Sequence, residues 1–344
     1  MEDALVDLKS LDLPELIEFI GSIGEKPFRA KQIYEWMHKK KVVSFDEMTN
    51  ISKSFREKLK EVSVLNVAKI DIKQVSKLDG TAKYLMRLND GNAVETVLMR
   101  YKHGNSVCVS SQVGCRMGCR FCASTVGGLV RSLAPSEMLE QVYNIERDTG
   151  ERVSNIIIMG IGEPFDNYEN VMRFVRMISD ENGLNISERN ITVSTCGIVE
   201  NIRRLSKEGL HITLAISLHA PNDEIRREMM PVANKYTIAE ILEACEDFVK
   251  ETKRRVTFEY TLVEGVNDSP ENAAELSLLM KNHLFHVNLI PLNQVEGRFG
   301  KRSRQKNIQN FKNMLENNHI NVTIRRELGS DIDAACGQLR KSSS

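Results

Sequence analysis

From Val153 onward, short apolar runs alternate with longer amphipathic stretches, and that alternation limits the fold more than any other feature. VSNIIIMG (153–160) is apolar through its centre, as a strand buried on both faces must be. The pattern then predicts a helix over Tyr168–Ser179, strand 190–195, helix 198–208, strand 211–217 and helix 237–252. Strand 255–263, helix 270–282, strand 286–290, helix 304–317 and strand 321–325 complete it. Such repeated units build an α/β fold with a parallel sheet and right-handed crossovers, open or curled into a barrel. Six or seven strands are too few for a complete eight-stranded barrel, so a partial barrel with one open side is expected.

Two different patterns precede this region. Leu16, Ile17, Phe19, Ile20 and Ile23 recur at helical spacing, followed by Ile33, Tyr34, Trp36 and Met37, then Phe55, Leu59 and Val62. Residues 1–65 therefore read as a module of three short helices. Its basic residues, Arg29, Lys31 and Lys39–Lys41, form a solvated face or touch RNA phosphates. Over 66–104 the period changes to two, with turns at Asp79-Gly80 and Asp90-Gly91, giving a β-meander. The α/β region spans 105–336, and 337–344 is a polar tail.

A strand over Asn105–Gln112 delivers a loop with unusual composition. CVSSQVGCRMGCRFC (108–122) holds four of the seven cysteines, three of them spaced Cys115-x3-Cys119-x2-Cys122. Structural zinc takes four ligands, and iron–sulfur clusters usually take four thiolates. Three thiolates on a short loop fit a [4Fe–4S] cluster with one iron left open to a ligand. A zinc loop with a distant fourth ligand and three structural cysteines stay open on spacing alone.

In parallel α/β folds chemistry gathers where strands end. The cysteine loop, Gly160-Ile161-Gly162-Glu163-Pro164, Ser194-Thr195, Ser217-Leu218-His219, Asn293 and Cys336 all follow strands, which puts them on one rim. GIGEP reads as an ordinary βα turn or as one whose Glu163 carboxylate accepts from an ammonium group. Cys336 sits among small residues, as either a small buried residue or a reachable thiol would, whereas Cys245 lies on an apolar helix face and reads as core. Cys196 is ambiguous. Period two puts Cys108 and Ser110 on one strand face. Glu95 sits on a strand among apolar neighbours and is exposed unless that strand faces a cleft. The basic run Arg298–Lys306 reads as a mobile loop near the rim, either solvated or holding nucleic-acid phosphates.

The 344 residues carry 47 basic and 47 acidic side chains, so net charge demands no polyanionic partner. No apolar run is long enough to cross a membrane, and the acidic start lacks the apolar core of a signal peptide. A cytoplasmic chain with reduced thiols is expected.

Taken together, SSQVGCRMGCRFCAS, GIGEP, SLHAPND, GVND, VNLIPLN and DIDAACGQL resemble the radical S-adenosylmethionine enzymes. Among them they are similar to the branch that methylates adenine C2 in 23S rRNA and tRNA. Pro164 and Pro291-Leu292-Asn293 side with that branch over the one that methylates C8. The resemblance implies a partial (β/α)6-type radical-SAM barrel with an N-terminal RNA-binding module. It implies that Cys115, Cys119 and Cys122 hold a [4Fe–4S] cluster. Gly162, Glu163, Ser194, Ser217, Leu218, His219 and Asn293 would contact S-adenosylmethionine. Cys336 would become S-methylated, Cys108 would resolve it through a disulfide, and Glu95 would accept a proton. The substrates it implies are adenine 2503 of 23S rRNA, at the peptidyl transferase centre, and adenine 37 of tRNA, next to the anticodon. Two S-adenosylmethionine molecules per turnover, a one-electron reductant such as flavodoxin or ferredoxin, and a monomer complete the expectation.

The chemistry explains why such parts are needed. Adenine C2 lies between two ring nitrogens and is too electron-poor to attack a methyl cation equivalent. A radical route is required, and the cofactors carry it. The rival outside the enzyme class is a zinc- or cluster-stabilised RNA-binding protein, which leaves Cys108 and Cys336 without a use.

Overall fold

The computed structural model describes residues 5–339. Positions 340–344 of the polar tail lie outside the described residues. Three helices come first: α1 (Leu13–Ser22), α2 (Pro27–His38) and α3 (Lys53–Val62). Asp12 caps α1 by accepting from the Glu15 N–H while Glu15 reaches back to the Asp12 N–H, a reciprocal box that satisfies two orphan donors. Leu16, Ile20, Ile33, Tyr34, Met37, Phe55 and Leu59 form a core of the module's own.

Ten strands make the central sheet. They are β1 (Lys69–Val75), β2 (Ala82–Arg87), β3 (Ala93–Tyr101), β4 (Gly104–Cys108), β5 (Val153–Ile158), β6 (Ile191–Thr195), β7 (Thr213–Ser217), β8 (Val256–Leu262), β9 (Phe285–Pro291) and β10 (Val322–Ile324). Their spatial order is their chain order, with no switch. β1 to β4 pair antiparallel, and β4 to β10 pair parallel. The linking helices are α4 (Pro135–Thr149), α5 (Tyr168–Ser179), α6 (Val199–Leu205), α7 (Asp223–Met229), α8 (Ile238–Thr252), α9 (Pro270–Met280) and α10 (Gln305–Asn317). Right-handed crossovers that always step the same way put every helix on one face. The opposite face is left without helices and can close around a site. The main core lies between sheet and helices, where Ile156, Val193, Leu214, Phe258 and Val287 meet Val142, Phe174, Ile202 and Phe248.

Two expectations need correction. The strand expected over Asn105–Gln112 stops at Cys108. Beyond Val109 the backbone leaves the ladder: the Ser110 N–H donates to the Gln141 side chain at 2.8 Å, and those of Ser111 and Gln112 donate to the Ile161 carbonyl. Gln112–Gly114 then pairs with Leu129–Ser132 in a small ribbon. The second concerns α7, which the periodicity did not predict. It is only seven residues long, begun by Asn222 accepting from the Ile225 N–H.

The N-terminal module docks on the outside of α4 and α5. Lys9 and Glu140, both fully buried, pair at 2.6 Å, and Arg147 adds a second bond to Glu140 at 2.7 Å. Tyr34 donates to Asp180, His38 Nδ1 meets the Tyr143 hydroxyl at 2.8 Å, and Arg173 pairs with Glu15. Among the described residues no helix is long and apolar enough to cross a membrane.

Candidate active site

The C-terminal ends of the parallel strands surround a cavity with about 1010 Å³ of unfilled space, part of it open to solvent. Cys115, Cys119 and Cys122 line it, with Gly162, Glu163, Ser194, Ser217, His219, Asn293 and Cys336. Ten of the thirteen residues singled out from the sequence thus face one space.

Local bonding shapes the cysteine loop. The Thr125 hydroxyl donates to the Cys119 and Cys122 carbonyls, and Arg298 donates to the Cys119 carbonyl at 2.8 Å. Arg298 is therefore turned inward. Arg302 and Arg304 of the same basic run pair with Glu327 and Glu264, so this run is more tied down than a mobile loop. Among the described residues no three His, Cys, Asp or Glu side chains converge as ligands of a lone ion would. The three thiols instead border a shared space.

Glycine sets the turn after β5. A Cβ on Gly160 would lie 2.7 Å from Ser110 Oγ and 2.8 Å from the Val109 carbonyl. Gly162 has φ of +107°, and a Cβ there would lie 2.6 Å from Gln112 Cβ. This close approach carries Glu163 to the cavity, almost fully buried. Its two oxygens accept the N–H groups of Phe165 and Cys196 at 2.9 and 2.8 Å. Burial raises the Glu163 carboxyl, and these bonds oppose the rise. Ser194 and Ser217, at the ends of adjacent strands, bring their hydroxyls within 3.5 Å of each other.

His219 has a positive φ of 59° and is buried. Its Nδ1 accepts the Thr261 N–H at 2.9 Å, so the neutral ring carries its proton on Nε2. Burial, helped by Arg226, pushes His219 down to about 3, so it remains a neutral donor. Asn267 of the GVND motif holds this turn by donating to the His219 and Thr261 carbonyls. Leu218 differs from its neighbours. It lies in the main core, away from the cavity lining, with its N–H on the Glu259 carbonyl and its carbonyl taken by Arg226.

A second cavity, with about 590 Å³ of unfilled space, adjoins the first. Cys108 and Cys336 both line it, with Val97, Met99 and Tyr101 of β3. Glu95 lies two residues before Val97 on the same strand face, so that face turns toward the cleft. Its carboxylate is 3.3 Å from Lys83 Nζ, and its carbonyl accepts from the Ser110 hydroxyl. The Cys336 segment is sewn to the cysteine loop: Asn293 donates to the Cys336 carbonyl, Ala123 to that of Gly337 and Ser124 to that of Leu339. All seven cysteines are free, so no disulfide joins Cys108 to Cys336. Burial pushes the Cys108 thiol up to about 12.

Sequence reasoning missed three charged residues here. Glu259 and Arg325 line the first cavity, and Arg226 is fully buried behind it. The alternation in VTFEYTL was the available signal for Glu259, since a carboxylate in a strand buried on both faces needs a partner or a cleft. Arg226 bonds only carbonyls, those of Leu218, Tyr236 and Cys196.

These features fit a [4Fe–4S] cluster. Three thiols border one space, and a buried guanidinium whose hydrogen bonds go to neutral carbonyls suits a nearby anionic group. Gly162-Glu163 on the open side suits an amino acid head group, so the neighbouring space fits S-adenosylmethionine. The radical SAM superfamily model matches residues 109–277, and the model of the ribosomal RNA large subunit methyltransferase N-terminal domain matches residues 6–65. The crystal structure of a radical SAM methyltransferase from Sphaerobacter thermophilus superposes with a TM-score of 0.93 at 44% identity, covering 97% of this chain and 99% of that one. Fold and site define a radical S-adenosylmethionine methyltransferase.

The relatives narrow the class. A protein of Lachnoclostridium phytofermentans described as a probable dual-specificity RNA methyltransferase RlmN is 63% identical over 98% of this chain and 95% of its own length. One from Lachnospira eligens with the same description is 59% identical over 98% and 96%. The chain belongs to the RlmN family of dual-specificity RNA methyltransferases.

Proposed function

We propose that this enzyme methylates C2 of adenine 2503 in 23S rRNA and of adenine 37 in tRNA, with Cys336 carrying the methyl group on its sulfur. The observation that carries the reading is the pair of non-cluster cysteines, Cys108 and Cys336, on one cavity beside the three-thiol space. A methyltransferase that moved its methyl group directly to RNA would need neither.

In this reading Cys115, Cys119 and Cys122 hold the cluster. Glu163 takes the ammonium of S-adenosylmethionine, Asn293 its carboxylate end, and Ser194, Ser217 and His219 its hydroxyl and ring edges. Leu218 shapes the turn that presents its two neighbours. Cluster and cofactor supply a methyl group and a radical able to remove hydrogen, two cofactor molecules being used per turnover. The Cys336 thiolate would attack the sulfonium methyl carbon and keep the methyl group, the neutral thioether leaving with the electron pair of the broken S–C bond. Once that radical had taken a hydrogen atom from the S-methyl group, its carbon would add to adenine C2, linking protein to RNA, and the adduct's one surplus electron would pass back to the bound cluster. Glu95 accepts the C2 proton, its carboxylate balanced by Lys83. Cys108 thiolate attacks the Cys336 sulfur, the RNA leaves with its new methyl group, and the resulting disulfide is reduced by an external thiol.

The adenine must be unstacked to present C2. Basic residues of the N-terminal module, among them Arg29, Lys31 and Lys40, are assigned to the RNA phosphates, with a salt-dependent affinity as the consequence. A monomer acting in the cytoplasm, supplied with electrons by a flavodoxin- or ferredoxin-type donor, completes the proposal. The test is Cys108→Ala under anaerobic turnover. It should accumulate protein crosslinked to RNA through Cys336. Free product at the wild-type rate, or a methyl group found on C8 by mass spectrometry of digested RNA, would overturn the reading.

A further inference from the structure

The turn between β1 and β2, residues 76–81, is remote from Cys336 in sequence yet meets the segment that carries it. Asp79 accepts the Thr81 N–H at 2.9 Å within the turn and the Gly329 N–H at 2.9 Å across the contact, with one carboxylate oxygen for each. Asp331 returns the bond by accepting the Lys77 N–H at 3.0 Å. Lys83, on β2, donates to the Asp333 carbonyl at 3.3 Å. These three contacts fall within residues 329–333, just ahead of Cys336. The backbones approach closely. Gly329 has φ of +63°, and a Cβ there would lie 2.7 Å from Ala334 Cβ and 3.0 Å from Thr81 Cγ2.

The turn is itself braced against the central sheet. Ser76 Oγ accepts the Leu78 and Asp79 N–H groups at 3.1 and 3.3 Å. Arg100, on β3, donates to the Gly80 carbonyl at 2.6 Å and pairs at 2.8 Å with Glu151, just before β5. Beyond Cys336 the chain is fixed to the cysteine loop through the carbonyls of Gly337 and Leu339. Between these two anchors Ala334 and Ala335 are buried, while Cys336 is exposed and lines both cavities.

We infer that the β1–β2 turn is the outer anchor of the Cys336 segment, with Asp79 as a positioning residue that holds the sulfur on the wall shared by the two cavities. The inference rests on Cys336 as the methyl acceptor. Such a sulfur meets the cofactor in one cavity and Cys108 in the other, and a segment tied at one end only would let it drift from both. A carboxylate suits the attachment, because a hydrogen bond to a charged acceptor is stronger than one to a neutral acceptor. The meander then belongs to the positioning of the active site and is more than a connector from the N-terminal module.

The test reads the segment and the chemistry separately. Cluster-loaded, full-length protein without RNA is incubated anaerobically with S-adenosylmethionine labelled in its methyl group. Label on Cys336 is timed by peptide mass spectrometry, and hydrogen exchange of residues 329–337 is measured on the same protein. Asp79→Ala should speed exchange there and slow labelling by about tenfold, with cluster content and affinity for S-adenosylmethionine unchanged. Asp79→Asn keeps one acceptor for two N–H groups and should fall between Asp79→Ala and wild type. Unchanged exchange in Asp79→Ala would overturn the inference, as would faster exchange with labelling at the wild-type rate. So would loss of cluster or of cofactor affinity in step with the labelling, because the turn would then support the fold at large. Absence of label on Cys336 in wild-type protein that methylates RNA would refute the proposed function, while the exchange difference would still report the anchor.

Discussion

Two regions of this protein bury charge, and they do it in opposite ways. Where the N-terminal module meets α4, Lys9, Glu140 and Arg147 complete one another, and Tyr34, His38 and Glu15 each have a named partner. At the rim, Arg226 bonds only carbonyls, Glu163 accepts hydrogen bonds in a cavity wall from neutral donors, and three thiols border a shared space. The first arrangement supplies its own counter-charges and holds two units together. The second is completed from outside. Burial of charge is thus not by itself a mark of function; whether the protein supplies the counter-charge is what separates the two.

That contrast can be broken by substitution. Cys336 is exposed, so Cys336→Ala should leave the unfolding midpoint within about 0.5 kcal/mol of wild type. RNA methylation should fall by on the order of a thousandfold or more. Measurable turnover by this variant would remove the distinction. Glu140→Ala should do the reverse. Leaving Lys9 buried and unpaired should cost about 3–5 kcal/mol in denaturant unfolding, while folded protein keeps its activity. A loss below about 1 kcal/mol would mean that water reaches the junction.

Acid should sharpen the comparison further. His38 at the junction and His219 at the rim are both buried, and burial pushes each down to about 3. The unfolded chain takes up protons as pH drops through the ordinary histidine range, whereas the folded chain resists until about pH 3. Stability should therefore decline across that window on acidification. His38→Asn should weaken the decline, as measured by urea midpoints at several pH values, and an unchanged slope would count against a neutral His38. The smallest effect is expected from Gly160→Ala. Its Cβ would meet Ser110 and Val109, costing about 1–3 kcal/mol and shifting the turn that carries Glu163. KM for S-adenosylmethionine should rise more than kcat falls, and an unchanged KM would argue that Glu163 does not hold the cofactor.

Much of this was legible in the sequence, for identifiable reasons. Seven parallel strands follow the periodicity because a strand buried on both faces has nowhere to put polar residues, as VSNIIIMG shows. The three N-terminal helices carry ordinary signals, such as Asp12 with Glu15 at the start of α1. The rim could be assembled because polar residues after strands must gather on one edge of a parallel sheet. Less visible were features made by long-range contacts. No local pattern marks the end of β4, which is set by Gln141 and Ile161 capturing its N–H groups. Arg325 looks like any basic residue after a strand until its approach to Glu259 and its place in the cavity wall are seen. Arg298 reads as solvated charge, yet it folds back onto the cysteine loop.

The account depends most on Cys336 as the carrier of the methyl carbon. Anaerobic single-turnover incubation with S-adenosylmethionine labelled in its methyl group, followed by mass spectrometry of both protein and RNA, tests that directly. Label should appear first on Cys336 and then on adenine C2, in equal amounts. Label reaching RNA without passing through Cys336 would contradict it.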